Sequence, residues 1–252
     1  MIDRVRGLSD SLLLARRKGE RIERLSGLTV PTSEEEAYAV QDAVVAASGA
    51  VGGWKVGASG PTAAPSAAPL PAAAMRPSPA RWEIPPGVLV GIEGELAFRF
   101  ARPLPPRAEP YGEDEVWNAV DTLHPAIELV QSRFADPHAV DKLALLADNL
   151  ANYGFCYGAA VPDWRQIDFL REPVSLSVDG AEKARAVGGN AAGHPRRLLA
   201  WLADHSARRG RGLAAGDIVT TGTHTGLITL PAPARVVVRF AGVGEARLTL
   251  AA

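Results

Sequence analysis

Val88-Leu-Val-Gly-Ile-Glu-Gly-Glu-Leu-Ala-Phe-Arg-Phe100 is the stretch from which the rest of this 252-residue chain is read. Its second half alternates apolar and polar residues, the period of a β-strand, and alternate side chains share a face. Ile92, Gly94, Leu96, Phe98 and Phe100 form one face and belong to a core. Glu93, Glu95, Ala97 and Arg99 form the other, with the two carboxylates about 7 Å apart along the strand. Like charges that close repel unless a cation or a proton sits between them. A third carboxylate, Glu128, stands in the equally apolar run Pro125–Val130, where an unpaired charge is costly. Three carboxylates without cysteine partners suit a hard, oxygen-seeking cation, Mg²⁺ or Mn²⁺. The alternative is structural: Glu93 and Glu95 on a solvated sheet face, and Glu128 paired with Arg133 or another arginine.

Working outward, residues 8–24 have helical spacing through Leu8, Leu12, Ala15 and Ile22. Ser33, with Glu36 three residues on, marks a second helix start whose apolar face is Ala37, Val40, Val44 and Ala47. Residues 1–50 thus read as a helical N-terminal segment. Residues 58–80 hold nine alanines, six prolines and three serines, with no aspartate or glutamate. The prolines argue against a regular helix or a central strand, so a long mobile loop is expected. Beyond it come a short helix at 113–123 and a strand at 125–131. A hairpin follows, turning at Asp179-Gly180 between strands 174–178 and 181–187. A helix at 195–209 then precedes strands at 217–221, 235–240 and 246–250. Helices first and strands after favour an α+β fold in one domain, 1–252, with 81–252 as a β-rich body.

Composition excludes several functions. The formal net charge of −1 leaves no basic excess for nucleic acid. No window approaches the ~18 apolar residues of a membrane span, and the one short apolar run near the N-terminus is too brief for a signal sequence. One cysteine, Cys156, permits neither an internal disulfide nor a cysteine-rich metal site, and the expected location is the cytoplasm. Of the 27 lysine and arginine residues, only Lys18, Lys55, Lys142 and Lys183 are lysines. Lys55 lies in Gly52-Gly53-Trp54-Lys55-Val56-Gly57, where glycines permit close approach of a ligand and apolar neighbours desolvate the amine. Desolvation lowers a lysine pKa toward acid–base use; the alternative is an ordinary surface lysine after a turn. In the C-terminal third, Gly216-Asp-Ile-Val-Thr-Thr-Gly-Thr-His-Thr-Gly226 runs a strand into a turn rich in hydroxyls and free amides, able to hold a carboxylate or equally to serve as plain turn chemistry. His224 inside it is the one histidine that stands near candidate site residues.

The ordered set is more specific than any member. Gly53-Trp-Lys-Val-Gly57, Glu93-Gly-Glu95, Ala126-Ile-Glu128-Leu-Val130, Asp148-Asn149, Gly188-Gly-Asn190 and Gly216-Asp217 ahead of Thr-Gly-Thr together resemble the fumarylacetoacetate hydrolase superfamily. Within it, the chain is most similar to the branch of 2-keto-4-pentenoate hydratases, 2-oxohept-3-ene-1,7-dioate hydratases and 4-oxalocrotonate decarboxylases. The resemblance implies a mixed β-roll behind a helical N-terminal region. It implies a divalent metal, Mg²⁺ or Mn²⁺, on Glu93, Glu95 and Glu128. Lys55 would be the catalytic residue, with Thr223, Gly222 and Trp54 at the substrate. The activity implied is hydration of a 2-hydroxy-2,4-dienoate to a 4-hydroxy-2-oxo acid in aromatic catabolism, by a homo-oligomer. Decarboxylation of 4-oxalocrotonate, hydrolysis of an acylpyruvate, and a non-catalytic partner or small-acid binding role stay open. The branch carries an acid after the lysine strand; here 58–80 has none, which leaves Glu83 or a water as the replacement.

Overall fold

The computed structural model describes residues 2–25 and 29–252; Met1 and 26–28 of the expected N-terminal segment lie outside them. In chain order the elements are α1 (Ile2–Lys18), α2 (Glu34–Ser48), β1 (Val51–Gly57), β2 (Ser66–Pro71), β3 (Met75–Pro77), β4 (Ala80–Glu83) and β5 (Leu89–Phe100). Then come α3 (Glu113–Ala119), β6 (Val120–Val130), α4 (Lys142–Ala147), β7 (Asn152–Tyr157), β8 (Pro173–Val178) and β9 (Ala181–Val187). The chain closes with α5 (Pro195–Arg208), β10 (Ile218–Thr223), β11 (Ile228–Pro231), β12 (Ala234–Phe240) and β13 (Gly244–Ala251). The α+β expectation holds.

Two mixed sheets carry the strands. The first runs β2-β1-β10-β5-β6-β7-β3, with β11 added to the start of β5. The second runs β4-β13-β12-β8-β9. Ile92, Leu96, Phe98 and Ile127 of the first sheet join Val236, Val238, Leu248 and Leu250 of the second in the main core. Leu70, Ala97, Ala126, Phe155 and Ile218 form a small second layer on the first sheet's other face. Both faces of β5 are therefore covered, which removes the solvated-face alternative for Glu95. A third cluster joins Leu8 and Leu12 of α1, Val40 and Val44 of α2, and Ala144 and Ala147 of α4.

The Ala/Pro stretch is not the long loop its composition suggests. It forms β2, β3 and the start of β4, and β2 and β3 lie at opposite ends of the strand order with only Ala72–Ala74 between them. The two edges of the sheet therefore meet, and the sheet is rolled. Proline is compatible with this because edge strands have no second neighbour to receive the missing N–H. Ala67, Ala68 and Leu70 are buried. Alanines here are core residues for a tight space, which composition alone does not reveal.

Smaller differences have similar causes. The first helix ends at Lys18, where Gly19 takes a φ of +69°, so Ile22 pairs instead as a bridge to Phe134. Ser33 caps α2 as expected, but the Glu36 carboxylate turns to the Thr32 amide and hydroxyl, and Ala47 is exposed. The helix expected over 113–123 stops at Ala119 and becomes β6, in register with β5 from Phe100 to Gly91. Strands β7 and β11 lay outside the sequence reading. Asp179 and Gly180 both take positive φ, 50° and 84°, as a two-residue hairpin turn requires. An added Cβ on Gly53 would sit 2.1 Å from the Ile218 carbonyl, so only glycine lets β1 lie against β10 here.

Candidate active site

Four neighbouring strands bring the site together. β1 and β10 are parallel with Lys55 opposite Thr220; β10 pairs with β5, and β5 pairs with β6 with Glu93 opposite Glu128. One oxygen from each of Glu93, Glu95 and Glu128 lies within 4.8 Å of the other two. Glu128 is 0% exposed and Glu95 is 1% exposed, while Glu93 sits at the partly open edge. Lys55 Nζ donates to Glu128 Oε1 at 2.5 Å and to the Leu150 carbonyl at 3.2 Å. Asn152 Nδ2 donates to the same Glu128 oxygen at 2.9 Å, and the Thr220 hydroxyl donates to Glu95 Oε2. Glu128 thus pairs with Lys55, not with Arg133.

Leu150 and Asn152 reach the site through an unusual piece of backbone. Asn149, Leu150 and Ala151 have φ of 53°, 50° and 59°, three successive non-glycine residues in the left-handed region. Each costs about 1 kcal/mol or more, and such strain persists only where the surroundings impose it. Here Arg133 does so. It is 4% exposed, donates from Nε to Asp148 Oδ1 at 2.5 Å, from Nη2 to the Asp148 carbonyl at 2.7 Å, and from Nη1 to the Asn152 carbonyl at 2.8 Å. Asp148 also accepts from the Ser132 hydroxyl and the Arg133 amide. The turn is clamped at both ends.

The electrostatics follow from burial. Desolvation lifts the Glu93 carboxyl to about 7, helped by the charge of Glu128 and opposed by Lys55. Glu95 is pushed well above the usual carboxylate range, first by burial and then by Glu128 and Glu93. Burial on its own depresses the Lys55 ammonium, but Glu128, Glu95 and Glu93 outweigh it and the net direction is upward. The depressed lysine expected from sequence is therefore corrected: its neighbours are three acids.

The donor set fits a divalent metal. Glu128 Oε2 is buried and has no hydrogen-bond partner among the described residues, an arrangement that an ion would resolve. The candidate ligands are all hard carboxylate oxygens. A prediction follows from linkage. Folding raises the Glu93 and Glu95 carboxyl pKa values, so their protonated forms stabilise the metal-free fold at low pH. For Glu93 that stabilisation is lost as pH rises from near 4.5 through about 7. A metal ion takes the place of the protons, so its stabilisation grows over the same window. Thermal unfolding with EDTA and with Mn²⁺, from about pH 5.5 to about pH 8.5, should show the gap between the two widening with pH. A constant gap would remove the carboxylates as ligands.

Of the remaining candidates, the structure brings two near the site and turns one away. Gly222, with φ of +93°, passes close to Gly57 and to the Asn190 amide, which donates to the Thr221 carbonyl at 2.7 Å. Thr223 lies opposite Glu95 after a bulge, and its hydroxyl is engaged within its own turn by the Thr225 amide and the Gly226 carbonyl. Trp54 is 8% exposed in the main core and donates from Nε1 to Asp217 at 3.2 Å, on the strand face opposite Lys55. His224 is buried, bonds the Gly188 carbonyl and packs edge-on against Phe240, a structural role. Glu83 is exposed and bonds Arg81, so it does not replace the missing acid; Ala68 stands opposite Lys55 on β2. Cys156 is buried, which pushes its thiol up to about 12. Sequence reasoning missed Thr220, Asn152 and the Leu150 carbonyl. Thr220 lay inside the hydroxyl-rich stretch 216–226 without being singled out, and the signal for the other two was Asp148-Asn149, whose meaning depends on a backbone twist.

The family model of the fumarylacetoacetate (FAA) hydrolase C-terminal domain matches residues 40–251. The chain belongs to the fumarylacetoacetate hydrolase family. It is 31% identical over 158 residues to the 2-keto-4-pentenoate hydratase of Burkholderia vietnamiensis, a match covering 63% of this chain and 59% of that one. It is 28% identical over 154 residues to the 4-oxalocrotonate decarboxylase of Pseudomonas putida, covering 61% and 57%. The chain thus spans somewhat under three fifths of the length of these curated relatives. A fumarylacetoacetate hydrolase family fold is also seen in the solved structure of the 4-oxalocrotonate decarboxylase of Pseudomonas putida G7, complexed with magnesium and adipate. It matches with a TM-score of 0.87 at 21% identity, over 99% of this chain and 98% of that one. Among the described residues no helix is long and apolar enough to cross a membrane.

Proposed function

We propose that this protein is a divalent-metal-dependent hydratase acting on a 2-hydroxy-2,4-dienoate of the 2-hydroxypenta-2,4-dienoate type. The observation that carries the reading is the convergence of Glu93, Glu95 and Glu128 on one point beside Lys55. The relatives named 2-keto-4-pentenoate hydratase support the choice of reaction. Glu93, Glu95 and Glu128 would hold Mg²⁺ or Mn²⁺, which when bound supplies Lewis-acid stabilisation of negative charge on the oxygens of a 2-oxo acid. The relative bound to magnesium and a fumarylpyruvate hydrolase bound to Mn²⁺ and pyruvate support that ion class.

The remaining roles belong to the chain's own groups. Lys55, held protonated by its carboxylate neighbours, is a proton donor and a fixed positive charge for the dienolate. The Leu150 carbonyl and Glu128 orient its ammonium. Thr223 on β10, opposite Glu95, and Gly222 before it would bound the site on that side. Overall, water adds across the terminal double bond, its hydroxyl at C4 and a proton at C5. The 2-hydroxy group becomes the 2-oxo group as a proton moves from oxygen to C3, giving 4-hydroxy-2-oxopentanoate.

One observation favours a second reading, decarboxylation of 4-oxalocrotonate. Ala68 faces Lys55 where an acid would assist the activation of water. Loss of CO2 leaves an enolate that needs only charge stabilisation and one proton, both within reach of Lys55. The test offers the purified protein 2-hydroxypenta-2,4-dienoate, 4-oxalocrotonate and an acylpyruvate with Mg²⁺ or Mn²⁺, followed by ultraviolet absorbance against an EDTA control. Metal-dependent loss of the dienoate is the expected result. CO2 release from 4-oxalocrotonate alone would select the second reading. No turnover of any would leave a binding or partner role. The same preparation, sized in solution, tests the proposal that the chain forms a homo-oligomer.

A further inference from the structure

A cavity of about 350 Å³ opens where α1, the exit of β6 and the start of β7 meet, and no residue of the acidic centre lines it. Three arginines do: Arg16 from α1, Arg21 just beyond it, and Arg133. Among the described residues the buried acid they share is Asp148, 0% exposed. Arg133 spends its donors on Asp148 and on two backbone carbonyls. Arg16 Nη2 stands 3.5 Å from Asp148 Oδ1, yet its Nη2 and Nε are buried with no hydrogen-bond partner among the described residues. Arg21 is half-buried and makes neither a hydrogen bond nor an ion pair among the described residues. Its backbone position is fixed because Ile22 pairs with the chain at 133–135. Two acids, Glu20 and Glu83, stand at the rim, largely exposed, and each lies beside its own cation, Lys18 and Arg81.

The interior is therefore short of negative charge. Burial and the like charge of Arg133 lower Arg16 to about 9, and Asp148 only partly opposes them. Arg21 is lowered by the same causes in the same order. Buried positive charge in excess of its counter-charge is costly, and a guanidinium fork is shaped for a carboxylate or another oxyanion. Ala15, Pro85, Val88 and Tyr153 give the lining an apolar part, and the Gln131 carboxamide is a further polar group beside the arginines. The volume lies at the lower end of the roughly 300–1,000 Å³ of small-molecule sites.

We propose that this cavity is a second site, separate from the acidic centre, for a short-chain organic carboxylate. The carboxylate is taken by Arg21, with the partly exposed Arg16 side chain beside it, and its hydrocarbon part lies on the apolar part of the wall. Inorganic phosphate shares the anion chemistry but has nothing to offer that wall.

Isothermal titration of the full chain in EDTA with propionate, succinate and phosphate tests this. EDTA removes metal-dependent binding at the acidic centre, and the Lys55→Met variant reports any anion held there by the lysine. Saturable binding of one propionate or succinate per chain is expected, more weakly matched by phosphate. Arg21→Ala should weaken it about tenfold or more, the scale of a lost charge-assisted hydrogen bond. Arg16→Gln should weaken it too, with the unfolding transition of each variant reporting that it folds. Lys55→Met, which removes the cation of the acidic centre, should leave it unchanged. No saturable binding, an unchanged affinity in Arg21→Ala, a loss in Lys55→Met, or phosphate bound as tightly as the carboxylates would each overturn the proposal. None of these readings depends on which reaction the acidic centre performs.

Discussion

Lys55→Met is expected to leave a folded protein whose turnover of the dienoate falls by about a hundred- to ten-thousand-fold, the usual contribution of a positioned proton donor. Methionine retains the length of the side chain and removes the charge. Among the described residues Lys55 is the one cation bonded to the acidic centre, and its ammonium is aimed by Glu128 and the Leu150 carbonyl. The loss should fall on kcat, since the group acts on charge that develops during the reaction. Lys55→Arg should not rescue, because a guanidinium is larger, stays charged and gives up no proton. Thermal unfolding with Mn²⁺ present separates this from misfolding. Wild-type kcat in a folded Lys55→Met protein would remove the lysine from the chemistry.

Arg133→Met is expected to destabilise the fold by about 3–5 kcal/mol, the cost of leaving a buried charge without its partner. Asp148 is fully buried and would be left with Arg16, at 3.5 Å, as its nearest counter-charge among the described residues. The substitution also frees the Asp148 and Asn152 carbonyls that bracket three left-handed residues. The consequence extends to the acidic centre, because that turn carries the carbonyl for Lys55 and the amide for Glu128. Urea unfolding measures the loss. Arg185→Met is the control: its partner Glu182 is on the surface, where water screens the pair, so the unfolding midpoint should barely move. Equal losses in the two would mean that the clamp contributes no more than a surface ion pair.

Strand β5 was legible because its alternation is long and its two faces differ in chemistry. The hairpin at Asp179-Gly180 was legible because its turn demands positive φ at both positions. The Ala/Pro stretch was misread because composition records that proline breaks inner strands, not that a sheet has edges for it to occupy. Lys55 was found by its glycine neighbours and its rarity, but the direction of its pKa was not, since that depends on acids 38 to 73 positions away. Trp54 shares Lys55's motif and not its face, which the two-residue period of β1 makes unavoidable.

By itself the sequence determined the elements with strong local signals: the helical start, the β-rich body, the acidic pairs and the isolated lysine. These follow from periodicity, caps and turn geometry, which act over a few residues. Only the tertiary structure decided that β2 and β3 close the sheet into a roll, that Glu128 belongs to Lys55 and Asp148 to Arg133, and that three left-handed residues deliver the polar atoms holding the site. Those are pairings between distant segments. They are selected by burial, where each charge must find the one partner the fold brings within reach.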